Sequence, residues 1–250
     1  PSLSPRACGW GEAMSALPTR RDEAWRYADL QAVTKLWPLA APEQLVLAEG
    51  EAATRHLVLD TDAGAADIRQ ITINLAKGAK FSFQLLVMGG HYGRVELDVT
   101  LHEGADFDLG AVILGNGDQT LEIITTVTHA EPNATSNQVI RAVLAERSTG
   151  TYLGKVAVAR GAQKTDSAQS FKAMLIDRTA TANAKPELEI FADDVKCAHG
   201  AAIGELDAMS LFYLESRGLT PADAKRLMLQ AFVADVLQAA ALQKLGEMVR

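Results

Sequence analysis

The chain has 250 residues, of which 48% are hydrophobic and 22% are charged, so it can bury a large core and is expected to fold. Its formal net charge of -7 argues against nucleic-acid and anionic-membrane partners, which would repel it. No apolar stretch approaches the length that crosses a bilayer. The two cysteines, Cys8 and Cys197, are too few for a disulfide framework and are typical of a reducing compartment. We therefore expect a cytoplasmic protein.

The first part of the chain is predicted to contain a flexible leader, residues 1–18, followed by a short helical segment, residues 19–50. The leader is rich in Pro, Gly and Ser and has no periodicity. Thr19 is suited to cap a helix from Arg20 to Val33, whose apolar residues recur near helical spacing. Trp37-Pro38 should end the helix, because a proline disfavours helical geometry in the preceding residue.

Residues 51–206 are predicted to form a nearly all-β core. Apolar residues alternate with polar ones in many short runs, as in Val95 to Leu101, so each strand buries one face. A weak repeat marks the turns at Gly78, Gly104, Asn133 and Gly161, at steps of 26, 29 and 28 residues. Two strands with their turns fill one step, which favours a β-helix over a β-sandwich.

Residues 207–250 are predicted to form a C-terminal helical region for partner docking. Asp207 can cap a first helix that Gly218 ends, and Thr220 with Pro221 can start a second helix that runs to about Leu245. Apolar residues surround most of the second helix, so one side needs a cover besides the β-region. The alternative is that both helices pack only on each other and on the β-region. The candidate partner-binding residues are Phe212, Tyr213, Leu227, Leu229, Phe232, Val233, Val236 and Leu237.

Common catalytic motifs are missing from the sequence. The segment Gly150 to Val156 is one residue too short for a phosphate-binding loop and ends in valine where a hydroxyl is required, so we expect no nucleotide on this chain. There is no Gly-x-Ser-x-Gly elbow, and the five histidines show no helical metal-ligand spacing. Glu187 and Glu189 alternate with apolar residues, which is typical of the solvated face of a strand.

Cys197 and His199 are the most distinctive pair in the chain. On an extended strand they point to the same side, and a thiolate beside an imidazole suits iron or zinc. A neighbouring histidine can also lower the pKa of a thiol. Two ligands do not complete a tetrahedral site, so the pair predicts half of a metal site at an interface. The alternative is that both are ordinary structural residues.

Four segments resemble the SufD family of iron-sulfur cluster assembly proteins. They are Pro18 to Tyr27, Lys185 to Glu205, Leu211 to Gly218 and Ala231 to Leu237. The related SufB subunit has a different signature where this chain reads Cys197-Ala198-His199-Gly200.

The resemblance implies a right-handed parallel β-helix flanked by helices, in a non-catalytic subunit of the SufBCD complex. It implies pairing with a SufB-like chain, with a transient iron-sulfur cluster forming at an interface that includes His199 and Cys197. It also implies a SufC-like ABC ATPase bound through the C-terminal helices, and a possible homodimer when the chain is alone. Two alternatives from other classes are a polysaccharide-active β-helix enzyme and a purely structural β-helix adaptor.

Overall fold

The computed structural model describes residues 16–236. A 3-10 helix (Glu23–Trp25) and α1 (Leu30–Leu36) precede the strands, and α2 (Ala208–Ser216) and α3 (Pro221–Val233) follow them. The strands are β1 (Glu43–Leu47), β2 (Ala52–Thr61), β3 (Ala66–Leu75), β4 (Lys80–Gly89), β5 (Tyr92–Leu101), β6 (Asp106–Gly115), β7 (Thr120–His129), β8 (Thr135–Leu144), β9 (Thr149–Val158), β10 (Asp166–Leu175), β11 (Thr181–Ile190) and β12 (Lys196–Glu205).

The strands wind into a parallel β-helix. The odd-numbered strands form one sheet and the even-numbered strands form a second, which we call sheets A and B. Each strand pairs in parallel with the strand two positions along the chain, so one coil contributes one strand to each sheet. The predicted β-helix is confirmed and the sandwich alternative is wrong. Alternate side chains from both sheets fill a single apolar interior.

The turns that start the sheet B strands keep a constant backbone shape. Gly78, Gly104 and Asn133 all have positive φ, which glycine and asparagine adopt at the lowest cost. The next member of this series is Lys164, 31 positions after Asn133, and not Gly161 as the sequence repeat predicted. The backbone N–H of Asn133 donates to Gln163, and that of Lys164 donates to Asp194, as in the same turn of successive coils. The coil from Asn133 to Lys164 is therefore slightly longer than the repeat indicated.

The predicted helix from Arg20 to Val33 is wrong. The chain forms the short 3-10 helix and then α1, whose N-cap is Asp29: its carboxylate accepts hydrogen bonds from the backbone N–H groups of Gln31 and Ala32. The predicted end of the helix before Trp37-Pro38 is confirmed, because α1 stops at Leu36. The strand β1 also lies within the segment that was predicted to be helical. The proposed division into four segments otherwise stays a prediction.

A buried ion cluster attaches the N-terminal segment to the outer face of sheet A. The guanidinium of Arg94 lies 3.9 Å from the centre of the Trp25 ring and donates to the carbonyl of Ala24 at 2.7 Å. The same group pairs with Glu96 at 2.5 Å and with Glu122 at 2.8 Å. Because Arg94 is fully buried, these partners replace its lost hydration.

The helix α3 covers the outer face of sheet B. The predicted caps are confirmed: Asp207 accepts from Ser210, Thr220 accepts from Asp223, and Gly218 has positive φ. The helix α3 ends at Val233, and the predicted end near Leu245 lies outside the described residues. Leu229, Val233 and Val236 are buried against Leu86, Val112 and Val143, and Phe232 packs at the edge of this cluster. Leu229, Val233 and Val236 therefore pack within the chain, which corrects their prediction as partner-binding residues, whereas Phe232 is only partly buried and its prediction stays open. Leu237 lies outside the described residues.

The two ends of the β-helix differ within the described chain. At the first coil, Arg55 on β2 makes a two-point ion pair with Glu43 on β1, at 2.7 and 2.9 Å, and its guanidinium lies over the interior ring of Phe83. At the last coil, β11 and β12 have no strand beyond them among residues 16–236, as is also true of β1 and β2, but the ion pairs of β11 do not reach β12. In the same residues, no helix is both long enough and apolar enough to span a membrane.

Candidate functional site

The strand β12 brings Cys197 and His199 to the open end of the β-helix. In the described chain it pairs only with β10, with Cys197 beside Ser167 and His199 beside Gln169. Ser167 and Gln169 are buried on the interior side of β10. Since paired residues of parallel strands share a face, Cys197 and His199 occupy interior-facing positions that no further coil covers.

The two side chains of the pair differ in burial. Cys197 is half-buried and packs against the edge of the apolar interior, whereas His199 is exposed. Burial raises the pKa of the Cys197 thiol, and the nearby carboxylate of Asp166 raises it further. The suggestion that a neighbouring histidine lowers this pKa is therefore wrong. Loss of the thiol proton would need an additional positive charge, such as a metal ion.

A column of polar side chains runs inside the β-helix toward Cys197. His129 Nε2 lies 2.9 Å from the hydroxyl of Ser136, and the hydroxyls of Ser136 and Ser167 are also 2.9 Å apart. Ser167 is in turn the register neighbour of Cys197. Cys197 thus occupies the next position after a hydrogen-bonded row of interior polar groups.

A second interior column leads to His199. The oxygen Oε1 of Gln138 accepts from the Thr125 hydroxyl at 2.8 Å and from the Tyr152 hydroxyl at 3.3 Å. Gln138 pairs with Gln169 on the next coil, and Gln169 pairs with His199. Both amide atoms of Gln169 are buried and have no hydrogen-bond partner among residues 16–236. The column therefore ends in a buried amide whose hydrogen-bonding groups have no partner among the described residues.

Sequence reasoning missed Ser167 and Gln169. The signal that could have found them is the alternation in Ser167 to Ala173, where both polar residues share the phase of the buried Phe171. Their proximity to Cys197 and His199 depends on the register between strands, which a single sequence does not reveal.

The described chain does not complete a metal site by itself. Among residues 16–236, no three His, Cys, Asp or Glu side chains are grouped closely enough to hold a metal ion. Cys197 and His199 are chemically suited to iron, but two ligands leave the coordination of the metal unfinished. Any further metal ligand must come from residues other than Cys197 and His199.

Comparison with known proteins identifies the family. Residues 41–232 match the family model described as SUF system FeS cluster assembly, SufBD core domain. This chain belongs to the SufBD core family. The match covers all twelve strands and extends through most of α3. The resemblance seen in the sequence is thereby confirmed.

Curated SufBD relatives come from several bacteria. The chain is 31% identical to the SufD protein of Escherichia coli K12 over an alignment 227 residues long, which covers 78% of this chain and 53% of that protein. It is 31% identical over 210 residues to a SufBD family protein of Synechocystis, covering 83% of this chain and 46% of the relative. A Mycobacterium leprae SufBD family protein is 26% identical over 262 residues. The chain spans about half the length of the first two relatives.

The helix α2 carries the exposed apolar surface of this SufBD family member. Met209, Phe212 and Tyr213 are exposed at helical spacing, and Leu227 is exposed on α3. No residue of α2 is buried by the described chain. The predicted partner-binding residues Phe212, Tyr213 and Leu227 are thus accessible, which leaves that prediction open for these three.

The acidic residues of β11 take part in surface ion pairs. Glu187 lies 3.1 Å from Lys185, and Glu189 pairs with Lys155. These contacts fit the solvated face predicted from the alternation.

Proposed function

We propose that this chain is a non-catalytic scaffold subunit for iron-sulfur cluster assembly. The observation that carries the proposal is the presentation of Cys197 and His199 on interior-facing positions at the open end of the β-helix. Membership in the SufBD core family, which is described as acting in FeS cluster assembly, supports iron and sulfide as the substrates in this proposal. In this proposal the cluster is cargo that forms at an interface and then leaves.

The open end is the proposed docking surface for a SufB-like chain. The outer edges of β11 and β12 present unpaired backbone N–H and C=O groups among the described residues, and such edges pair readily with a strand of another chain. Ile203 on β12 is an apolar side chain left exposed at the same end. A partner strand would cover it and would bring new side chains beside His199.

The chemistry of the pair supports an interfacial metal site. A neutral imidazole and a thiolate are both ligands for iron. Because the pKa of the thiol is raised, Cys197 is expected to stay protonated until a metal ion takes the place of the proton. The SufB-like partner would supply the remaining ligands.

The exposed surface of α2 is the proposed contact for a SufC-like ABC ATPase. Phe212 and Tyr213 place two aromatic rings on one side of a short helix, and aromatic residues are enriched in the centres of protein interfaces. This chain should neither bind nor hydrolyse nucleotide, since the segment that most resembles a phosphate-binding loop lies mainly within the extended strand β9. The low cysteine content supports a cytoplasmic location.

Co-expression with SufB-like and SufC-like chains tests the proposal. We expect a complex that gains iron and sulfide, and we expect His199→Ala to lower the bound iron by at least about tenfold, in the range that follows loss of a metal ligand or its support. His56→Ala is the matched control, because His56 is exposed on β2 at the opposite end of sheet B. Iron and acid-labile sulfide are measured on the purified complexes.

Two results would contradict the scaffold proposal. If His199→Ala and His56→Ala complexes hold as much iron and sulfide as the parent, the structural adaptor is the better explanation. If the isolated chain cleaves acidic polysaccharides, the β-helix enzyme alternative gains support.

A further inference from the structure

Gln169 is a buried polar residue that the interior packing does not explain. Its side chain is 3% exposed, and neither Nε2 nor Oε1 has a hydrogen-bond partner among residues 16–236. Burying an amide without partners destabilises a fold relative to an apolar side chain of similar size. A buried group in this state needs a reason other than folding.

The position of Gln169 points to the open end. It is the register neighbour of His199, and adjacent strands of a sheet lie about 4.8 Å apart. Both residues take interior-facing positions, so the two side chains are neighbours on the same face at the end of the column. Its oxygen and nitrogen offer one acceptor and one donor to that ring.

We infer that Gln169 is a positioning residue that orients the imidazole of His199 for iron, an inference that rests on the proposed function. Once a partner chain closes the end, Oε1 of Gln169 accepts the N–H of one ring nitrogen. The lone pair of the other nitrogen then points toward the interface. Metal-binding histidines commonly donate their second ring N–H to an oxygen in this way, and the bond fixes both the tautomer and the ring orientation.

Gln138 provides a matched internal control. It has the same side chain in the same column, one coil further from the open end. Its Oε1 accepts from Thr125 and Tyr152 and so contributes to packing of the interior, and only its Nε2 has no partner among residues 16–236, whereas both amide atoms of Gln169 have none. Two strand spacings, about 9.6 Å, separate it from His199, which is beyond hydrogen-bond distance.

The test compares Gln169→Leu, Gln169→Glu and Gln138→Leu in the complex of this chain with SufB-like and SufC-like partners. Fe(II) alone is titrated anaerobically into each purified complex, and thermal unfolding of each isolated full chain is followed by circular dichroism. We expect Gln169→Leu to weaken Fe(II) binding by about 10- to 100-fold, which is the usual effect of losing a residue that supports a metal ligand. We expect its melting temperature to equal or exceed that of the parent, because leucine removes an unsatisfied amide.

The other two variants make the inference falsifiable. Gln169→Glu keeps an acceptor oxygen at the same distance and should restore most of the Fe(II) affinity. Gln138→Leu should lower the melting temperature and leave Fe(II) binding within about twofold of the parent, as expected for a residue with no contact to the ligand. Unchanged Fe(II) binding by Gln169→Leu would overturn the inference. A second combination of results would also overturn it: Gln169→Leu melts well below the parent, and Gln169→Glu binds Fe(II) as poorly as Gln169→Leu does. Those two results together would show that Gln169 has only a structural role.

The same titration separates this inference from the proposed function. If His199→Ala weakens Fe(II) binding and Gln169→Leu does not, the scaffold proposal survives and the role of Gln169 is wrong. If His199→Ala binds Fe(II) as the parent does, both proposals fail.

Discussion

At the scale of single residues, the interior of this β-helix is more polar than its sequence pattern indicates. The alternation of apolar and polar residues identifies the interior positions. It also predicts that Cys197 and His199 lie on the same face, because they are two residues apart on one strand. Ser167 and Gln169 lie 30 positions earlier and reach them only through strand register. That register is set by the lengths of the turns between β10, β11 and β12, which the sequence repeat, ending at Gly161, did not cover.

His129 makes the stability of the chain depend on pH. It is fully buried on β7, and burial lowers its pKa to about 4, below its ordinary value of 6.5. The unfolded chain therefore binds a proton before the folded chain does, so stability falls as pH decreases from about 6.5 to about 4. The loss amounts to roughly 3 kcal/mol at the lower end of that window.

We expect His129→Gln to lessen this acid sensitivity. Glutamine does not titrate, yet it retains a group that can hydrogen-bond to Ser136. The measurement is the free energy of unfolding in urea at pH 7, 5.5 and 4. His56→Gln, on the exposed face of β2, should leave the pH dependence as it is in the parent. An equal decline with pH in His129→Gln and the parent would show that other groups are responsible.

At the scale of elements, local signals predicted the C-terminal helices and failed for the N-terminal one. Asp207, Thr220 and Pro221 define helix starts through contacts within three residues, so the sequence alone locates them. The N-terminal segment is instead shaped by Arg94, which is 70 positions away from Ala24. A contact at that distance overrides the local helical spacing and divides the segment in two.

Phe212 on α2 tests the proposed ATPase contact. Its side chain is 66% exposed, so Phe212→Ser should leave the fold intact while weakening capture of a SufC-like chain by about tenfold or more, as for an aromatic residue at the centre of an interface. Val46→Ser is the control, since Val46 is 71% exposed on β1 at the opposite end of the β-helix. Affinity is measured by surface plasmon resonance with the purified ATPase subunit. Equal binding by the two variants would place the contact elsewhere.

At the scale of the whole molecule, the architecture could be predicted because it repeats. Each coil repeats the same alternation of apolar and polar residues and the same turn, so weak sequence signals for one strand or turn become convincing when they recur along the chain. The difference between the two ends could not be predicted in this way, because both ends are built from ordinary strands. The difference arises from the side chains of the terminal strands, in particular from the ion pair between Glu43 on β1 and Arg55 on β2.

Ile203 tests whether the open end is the partner surface. It is 49% exposed on β12, and Ile203→Lys adds a charge that a closing partner strand would have to bury. We expect association with a SufB-like chain to weaken by about tenfold or more, which corresponds to about 1.4 kcal/mol. Val58→Lys, at a residue 55% exposed on β2, should have no such effect. Sedimentation of the mixed chains gives the affinities, and retention of full affinity by Ile203→Lys would reject this surface.

The ion pair at the first described coil also bears on how copies of the β-helix can stack. A stack of β-helices lengthens indefinitely only when both of its ends accept another unit. The Glu43 and Arg55 ion pair lies across one described end, so an end-to-end contact there would have to bury two charges. That cost disfavours stacking through β1 and β2.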